Sequence, residues 1–334
     1  MNRSLNCGGR AVILAMSTRM LNLLYGHWGI HLCMLSDRVR MNAYAAAITA
    51  AVTPGDVVVD IGTGTGILAF LAARRRAKRV YAIERTGMIC MGRELARDNG
   101  LQNVVEFLEG DSRDVTIPER ADVVISELLG LFALDEDMLD VLRDARKRFL
   151  KPSGVILPCS IVLYVVPVQS EAAFEQTIVR RQELFGLDFK RLEAATNGSL
   201  FAIDLGSPEV QFLGPPQALA PVDLTRHETS RFAGDALCSI ETAGVLHGFG
   251  GWWEATLYED FRLSTDPRSD RSPAAWMQAF FPLRSPRKVH AGSLIVVDLK
   301  QHIEDGESRW SYALRTAGPR SDGTARVRRG IYGL

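Results

Sequence analysis

The sequence predicts an α/β fold in two parts, a doubly wound, mostly parallel sheet followed by an antiparallel, barrel-like β region. Three observations carry this expectation. Between Val57 and Leu150, short apolar strand-like runs alternate with helical stretches, the spacing of βα units on a parallel sheet. A glycine-rich turn, Asp60-Ile61-Gly62-Thr63-Gly64-Thr65-Gly66, follows the first of those runs and opens a helix. Beyond Lys151-Pro152-Ser153-Gly154 helical periodicity fades, and β-rich runs separated by turn residues take over.

Taken in order, residues 20–50 read as helical, with His31, Met34, Leu35, Arg38 and Val39 at helical spacing and an alanine-rich stretch at Tyr44–Val52. Thr53-Pro54-Gly55-Asp56 breaks the helix. Val57–Ile61, Arg79–Ile83, Val104–Leu108 and Val123–Ser126 read as strands, with helices through Ala73, over Met88–Asn99 and over Leu139–Leu150. Ile161–Val168, Gly244–Tyr258, Ser293–Leu299 and Trp310–Leu314 are the later β runs, interrupted by a helical island at Ala172–Leu184. The expected divisions are an N-terminal helical lid at 1–50, a Rossmann-like sheet domain at 51–158 and a β-barrel-like domain at 159–334.

The chain has 334 residues, 47% of them hydrophobic, enough for a sizeable core. Its formal net charge is zero, so general attraction to nucleic acid or to an anionic membrane is not expected. Cys7, Cys33, Cys90, Cys159 and Cys238 are odd in number and scattered, which argues against a disulfide framework or a metal site and for a reducing cytoplasm. The apolar stretch Ala11–Met16 is too short to span a bilayer and lacks a small-residue cleavage site, so no leader is expected there. Met16 and Met20 are alternative starts.

The glycine turn lets the backbone bend tightly and approach a ligand. A dinucleotide fold wants a third glycine at position 67, where this chain has Ile67. Asp60 would repel a phosphate and attract a cationic amino-acid group. Glu84, ending the second strand, is placed to accept both hydroxyls of a ribose, and Asp111 or the Ser112 backbone to meet an adenine. A nucleoside with a charged amino-acid tail fits this set, and S-adenosylmethionine (SAM) is the expected cofactor, with S-adenosylhomocysteine as product. Gly62, Gly64 and Thr65 would line its turn.

After the fourth strand comes Ser126-Glu127-Leu128-Leu129-Gly130-Leu131-Phe132-Ala133-Leu134-Asp135-Glu136-Asp137-Met138. Two glutamates flank an apolar, hairpin-like loop at the edge where an acceptor meets the cofactor. Such a pair can hold a planar cation and take up a proton as its nitrogen is methylated. The other reading of Glu136 is a solvated acidic run with Asp135 and Asp137.

From about residue 21 onward the chain resembles the protein arginine methyltransferase family. The residues that carry this are Tyr25…His31-Leu32-Cys33-Met34-Leu35-Ser36-Asp37…Arg40…Tyr44, the turn Asp60–Leu68, Glu84, the Glu127…Glu136-Asp137-Met138 loop, and Leu263-Ser264-Thr265-Asp266-Pro267…Trp276-Met277-Gln278. The resemblance implies a class I SAM-methyltransferase sheet domain and a β-barrel-like domain with an inserted helical dimerisation arm, here at about 171–203. It also implies a head-to-tail homodimer. It assigns Arg40 to the methionyl carboxylate of SAM, Met34 to the sulfonium, Glu84 to the ribose, and Glu127 and Glu136 to the acceptor, with His31 near the acceptor pocket.

The chain departs from the family pattern in three places. The Thr-His-Trp loop reads Ala274-Ala275-Trp276, so Asp37 lacks its histidine partner; the aromatic pair before Tyr25 is Leu21-Asn22; and Arg113 stands at the adenine-side glutamate. The expected acceptor pocket adds Tyr25, Trp28, Leu128, Leu129 and Trp276, and the expected catalytic set is Glu127, Glu136, His31 and Asp37. Because that pocket reads as apolar, the first expectation is a biosynthetic methyltransferase, needing no metal, acting on a small-molecule guanidino nitrogen or an electron-rich indole carbon. Protein-arginine N-methylation is the alternative, and a non-catalytic SAM-binding partner subunit a further one.

Overall fold

The computed structural model describes residues 12–13, 23–177, 185–189, 191, 200–304, 307–319 and 325–327. After a two-residue strand β1 (Val12–Ile13) and a helical turn at 23–25 come α1 (Trp28–Ser36) and α2 (Arg38–Ala51). Asp37 separates these helices. Its extended backbone ends α1, and its carboxylate accepts the Arg40 N–H at 3.1 Å to cap α2. Tyr44, Ala47 and Ile48 bury the inner face of α2, and the Tyr44 hydroxyl donates to the Ser126 carbonyl at 3.1 Å.

The parallel sheet comprises β2 (Val57–Ile61), β3 (Arg79–Glu84), β4 (Val105–Glu109), β5 (Ala121–Ser126) and β6 (Leu150–Leu157), in spatial order β4-β3-β2-β5-β6. Helices α3 (Ile67–Arg74), α4 (Met88–Asp98) and α5 (Met138–Arg148) alternate with the strands. All five residues of β2 are buried, as a strand covered on both faces requires. The chain order reverses beside β2, so β2, β3 and β5 open onto one crevice at their C-terminal ends.

The run Lys151-Pro152-Ser153-Gly154, not read as a strand from its composition, belongs to the parallel sheet. It lies inside β6, the edge strand, where pairing with β5 slips register between Ala121 and Val123. An edge position and a bulge are where a sheet tolerates proline and glycine.

The second part is antiparallel. β7 (Ser160–Gln169), β13 (Gly244–Tyr258) and β15 (Gln278–Val289) form its spine, with β13 paired on both sides. The short strands β8 (Phe201–Ile203), β9 (Gln211–Phe212), β10 (Gln217–Ala218), β11 (Val222–Asp223) and β14 (Phe261–Ser264) extend that sheet. A four-stranded sheet contains β12 (Ala233–Ser239), β16 (Leu294–Glu304), β17 (Glu307–Pro319) and β18 (Ala325–Val327). Between β7 and β8 lies α6 (Glu171–Glu175). About half of the expected arm, and all of the Leu21-Asn22 pair, fall outside the described residues. The described stretch 185–189 carries exposed Phe185, Leu187 and Phe189.

Phe249 sits on β13 opposite Pro167 of β7 and Phe281 of β15, with no exposed surface. Phe249→Ala is expected to lower unfolding free energy by about 3–5 kcal/mol, read from urea denaturation.

Candidate active site

The crevice at the C-terminal edge of the parallel sheet is a cavity closed by α1 on one side and the barrel on the other. Its floor is the glycine turn. The Gly62 and Thr63 N–H groups both donate to the Ile83 carbonyl at 3.0 Å, which ties the turn to β3. Gly64 has φ of 54°, and a Cβ there would lie 2.7 Å from Cε1 of His31, so only glycine fits. At the end of β3, Glu84 accepts the Gly64 N–H at 2.9 Å and the Thr86 N–H at 2.7 Å. Each carboxylate oxygen keeps a lone pair for a diol.

Asp60 does not line the cavity. It lies beneath the turn, where one oxygen accepts the Thr63 hydroxyl at 2.5 Å and the Ala69 N–H at 3.1 Å. Its other oxygen is buried without a partner, and burial pushes the carboxyl up to about 7. The reason is its position in β2, a strand buried on both faces; the turn rather than the ligand uses its charge directly.

On the far side, Asp111 and Ser112 line the cavity, but both oxygens of Asp111 are held by Arg113 at 2.8 Å. The same guanidinium holds its carboxyl below the usual carboxylate range. Arg113 reaches on to Asp140 at 3.2 Å. The substitution noted in the sequence therefore builds a salt-bridge chain at this end of the cavity.

The middle of the cavity is an ion pair. Arg40 donates to Glu127 through one terminal nitrogen at 2.5 Å and through Nε at 3.2 Å, and both side chains are nearly buried. Its other terminal nitrogen donates to the Met34 carbonyl at 3.1 Å, and its guanidinium lies 5.9 Å from the Trp276 ring centre. Glu136 enters from the end of the loop. Its carboxylate accepts the Tyr25 hydroxyl at 2.6 Å, and desolvation raises its pKa to about 7, with the Glu127 and Asp135 charges adding to the rise. Burial, together with that carboxylate, raises the Tyr25 phenol well above its ordinary value. Glu136 is thus a cavity residue, not part of a solvated run.

The loop between the glutamates is held by the barrel. Trp276 Nε1 donates to the Leu129 carbonyl at 2.8 Å, Trp253 Nε1 to the Gly130 carbonyl at 3.2 Å, and Gln301 to the Leu134 carbonyl. Leu128 and Leu129 line the cavity, whereas Leu131 and Phe132 are buried, with Phe132 packed edge-on against Phe281 and Trp310. Half of the loop's apolar character is therefore core packing, not an acceptor slot.

Three further expectations need correction. Trp28 is 61% exposed and stacked on His27, away from the cavity lining, because α1 is apolar all round and periodicity does not mark its inner face. His31 lines the cavity, as expected of its position, but packs on Gly64 at the turn, and only its expected catalytic role needs correction. Its Nε2 meets the Tyr25 carbonyl at 2.8 Å; a carbonyl only accepts, so that nitrogen carries the proton and is no base. Asp37 does not face the cavity either: besides capping α2 it accepts the Ala275 N–H at 2.8 Å, so backbone has replaced the histidine expected as its partner. Sequence reasoning missed Trp253, Trp310 and Gln301, which anchor the loop from distant strands. Their one signal was the late clustering of tryptophans.

A glycine cradle that no Cβ can enter and a diol-ready carboxylate at the second strand end together fit SAM. Comparisons agree. Residues 53–198 match the family model of a methyltransferase domain, and residues 162–313 that of the PRMT5 oligomerisation domain. The chain is a SAM-dependent methyltransferase. It is 32% identical over 308 residues to a probable protein arginine N-methyltransferase 6.1 of Oryza sativa subsp. indica, covering 89% of this chain and 78% of that one. It is 31% identical over 300 residues to protein arginine N-methyltransferase PRMT10 of Arabidopsis thaliana, covering 78% and 76%. The chain belongs to the protein arginine N-methyltransferase family.

Two solved structures share the fold. A Trypanosoma brucei PRMT1 enzyme-prozyme heterotetrameric complex with AdoHcy aligns with TM-score 0.77 at 22% identity, covering 93% of this chain and 99% of that one. Arabidopsis thaliana protein arginine methyltransferase 10, in an open conformation, aligns with TM-score 0.76 at 27% identity and the same coverage.

Glu84→Ala removes the acceptor of two turn N–H groups along with the diol acceptor. SAM affinity measured by calorimetry is expected to fall about tenfold or more.

Proposed function

We propose that this chain is a protein-arginine N-methyltransferase, which reverses the order of the two readings that the sequence suggested. The observation that carries it is the convergence of Glu127 and Glu136 on one cavity, Glu127 held by Arg40 and the Leu129 N–H and Glu136 by the Tyr25 hydroxyl. Two carboxylates suit a planar guanidinium, which offers five N–H donors in a fork. The small-molecule reading leaned on an apolar loop, and burial of Leu131 and Phe132 away from the cavity weakens that support. The curated relatives are named for action on protein arginine.

Bound SAM supplies a methyl group made electrophilic by a positive sulfur. Arg40 and Glu84 are its proposed holders, at the carboxylate and the ribose, with Met34 beside the sulfur. Glu127 and Glu136 orient the guanidinium so that one nitrogen faces the methyl, and positioning is the main contribution to rate. As the nitrogen is methylated it sheds a proton, and Glu136 is suited to take it. A carboxyl near 7 is a stronger base than an ordinary one and is about half ionised at neutral pH. Tyr25 donates to its carboxylate and fixes its direction. Ala275 leaves that task to the glutamates alone.

The partner reading is a head-to-tail homodimer. The matched oligomerisation domain includes the exposed Phe185, Leu187 and Phe189, at 96%, 58% and 40% accessible, an apolar group that a second copy would cover.

With labelled SAM and arginine-containing peptides, free arginine and indole compounds side by side, peptide labelling is the expected result; labelling of indole alone sinks the proposal. In that assay Glu127→Gln should lose about a hundredfold or more in kcat while SAM still binds. The wild-type rate should climb as pH rises through about 7, because Glu136 accepts a proton only once ionised. Phe185→Asp combined with Leu187→Asp should convert a dimer to a monomer by light scattering; a monomeric wild type would refute the dimer.

A further inference from the structure

The sequence places Asp135 in an acidic run that solvent would normally claim. The structure buries its carboxyl instead. One oxygen accepts the Phe132 N–H at 2.6 Å; the other accepts the indole N–H of Trp310, on β17, at 2.5 Å. Both partners are donors, so the geometry calls for the carboxylate form. A buried carboxylate is costly unless donors satisfy it, and here two donors hold it in place. Asp135 is not part of the cavity lining and touches neither proposed ligand.

Its surroundings form a closed hub. Gly130 and Ala133 exchange backbone hydrogen bonds at 3.1 Å in both directions, sealing the loop tip. A Cβ on Gly130 would stand 2.8 Å from both Cβ and Oδ2 of Asp135, so the glycine exists to admit that side chain. Ala133 and Asp137 adopt φ of 59° and 58°, left-handed values that non-glycine residues hold only where neighbours impose them. Glu136 lies between these two residues, and Glu127 opens the same loop. The direction of both acceptor carboxylates therefore depends on whatever holds the loop closed.

We propose that Asp135 is a positioning residue for methyl transfer, joining the loop that carries Glu127 and Glu136 to Trp310 of the barrel. It also acts by charge. Tyr25, Glu127, Asp135 and Arg85 are the polar and charged groups that act on Glu136. Of these, Glu127 and Asp135 favour the protonated form of Glu136, and Tyr25 and Arg85 the ionised form. An ionised Asp135 thus helps Glu136 to hold the proton it receives.

The inference rests on the reading of Glu127 and Glu136 as acceptor ligands, so the test measures loop order and transfer separately in the full-length protein. Asp135→Asn and Trp310→Phe are compared with wild type. Hydrogen exchange over residues 128–135 should speed up about tenfold or more in both, with the parallel sheet unchanged. The kcat for the acceptor that wild type methylates should fall about tenfold or more, with S-adenosylhomocysteine affinity within about twofold. The acid limb of the Asp135→Asn rate profile should move to lower pH, because removing a negative neighbour lets Glu136 ionise sooner. Lost packing alone would not move that limb. Unchanged loop exchange in both variants overturns the proposal, as does an unmoved acid limb with wild-type kcat. A wild type that labels no arginine acceptor refutes the acceptor reading instead, and the exchange data still judge the hub.

Discussion

A guanidinium and a carboxylate that have both left water must satisfy each other, and the Arg40–Glu127 pair places that demand at the centre of this cavity. Arg40 is set by the cap at Asp37 and by the Met34 carbonyl; Glu127 is set by the end of β5 and the loop that follows. Breaking such a buried pair by removing one partner typically costs about 3–5 kcal/mol. The helices, the sheet edge and the loop are thereby held in one arrangement. An anionic group entering beside Arg40 changes that balance, because it offers the guanidinium a second partner and leaves Glu127 freer toward a cation.

The two parts of the fold divide the work. The parallel sheet supplies the cofactor side, since Glu84 and the glycine turn come from neighbouring strand ends and are tied through the Ile83 carbonyl and the Gly64 N–H. The barrel rigidifies the loop between Glu127 and Glu136: three of its four indole N–H groups are spent on Leu129, Gly130 and Asp135. Indoles suit this task because they bury a large apolar body while directing a single donor. Asp37 closes the circuit by capping α2 and holding the backbone beside Trp276.

Features set by local rules were legible in the sequence. The turn at Gly62–Gly66 announces itself because its conformation excludes other residues, and Glu84 follows from where β3 must end. Features set by distant packing were not. Trp310 lies 175 residues from Asp135, and nothing local distinguishes Asp135 from the acids beside it. The strand β6 hid behind Pro152 and Gly154, whose tolerance depends on an edge position that only the assembled sheet defines. Trp28 misled because α1 is apolar on every side. Leu131 and Phe132 gave false weight to an apolar acceptor pocket, because sequence does not say which side of a loop meets the barrel.

The close approach of Gly130 to Asp135 also governs how this loop can change over evolutionary time. No side chain can be added at position 130 while the aspartate remains, and removing the aspartate first leaves the Phe132 N–H and the Trp310 indole without their acceptor. Substitutions at these positions are therefore coupled, each harmful alone and tolerable only in company, the condition under which additivity fails. A lineage leaving this arrangement must cross a poorly functioning intermediate, whichever position changes first.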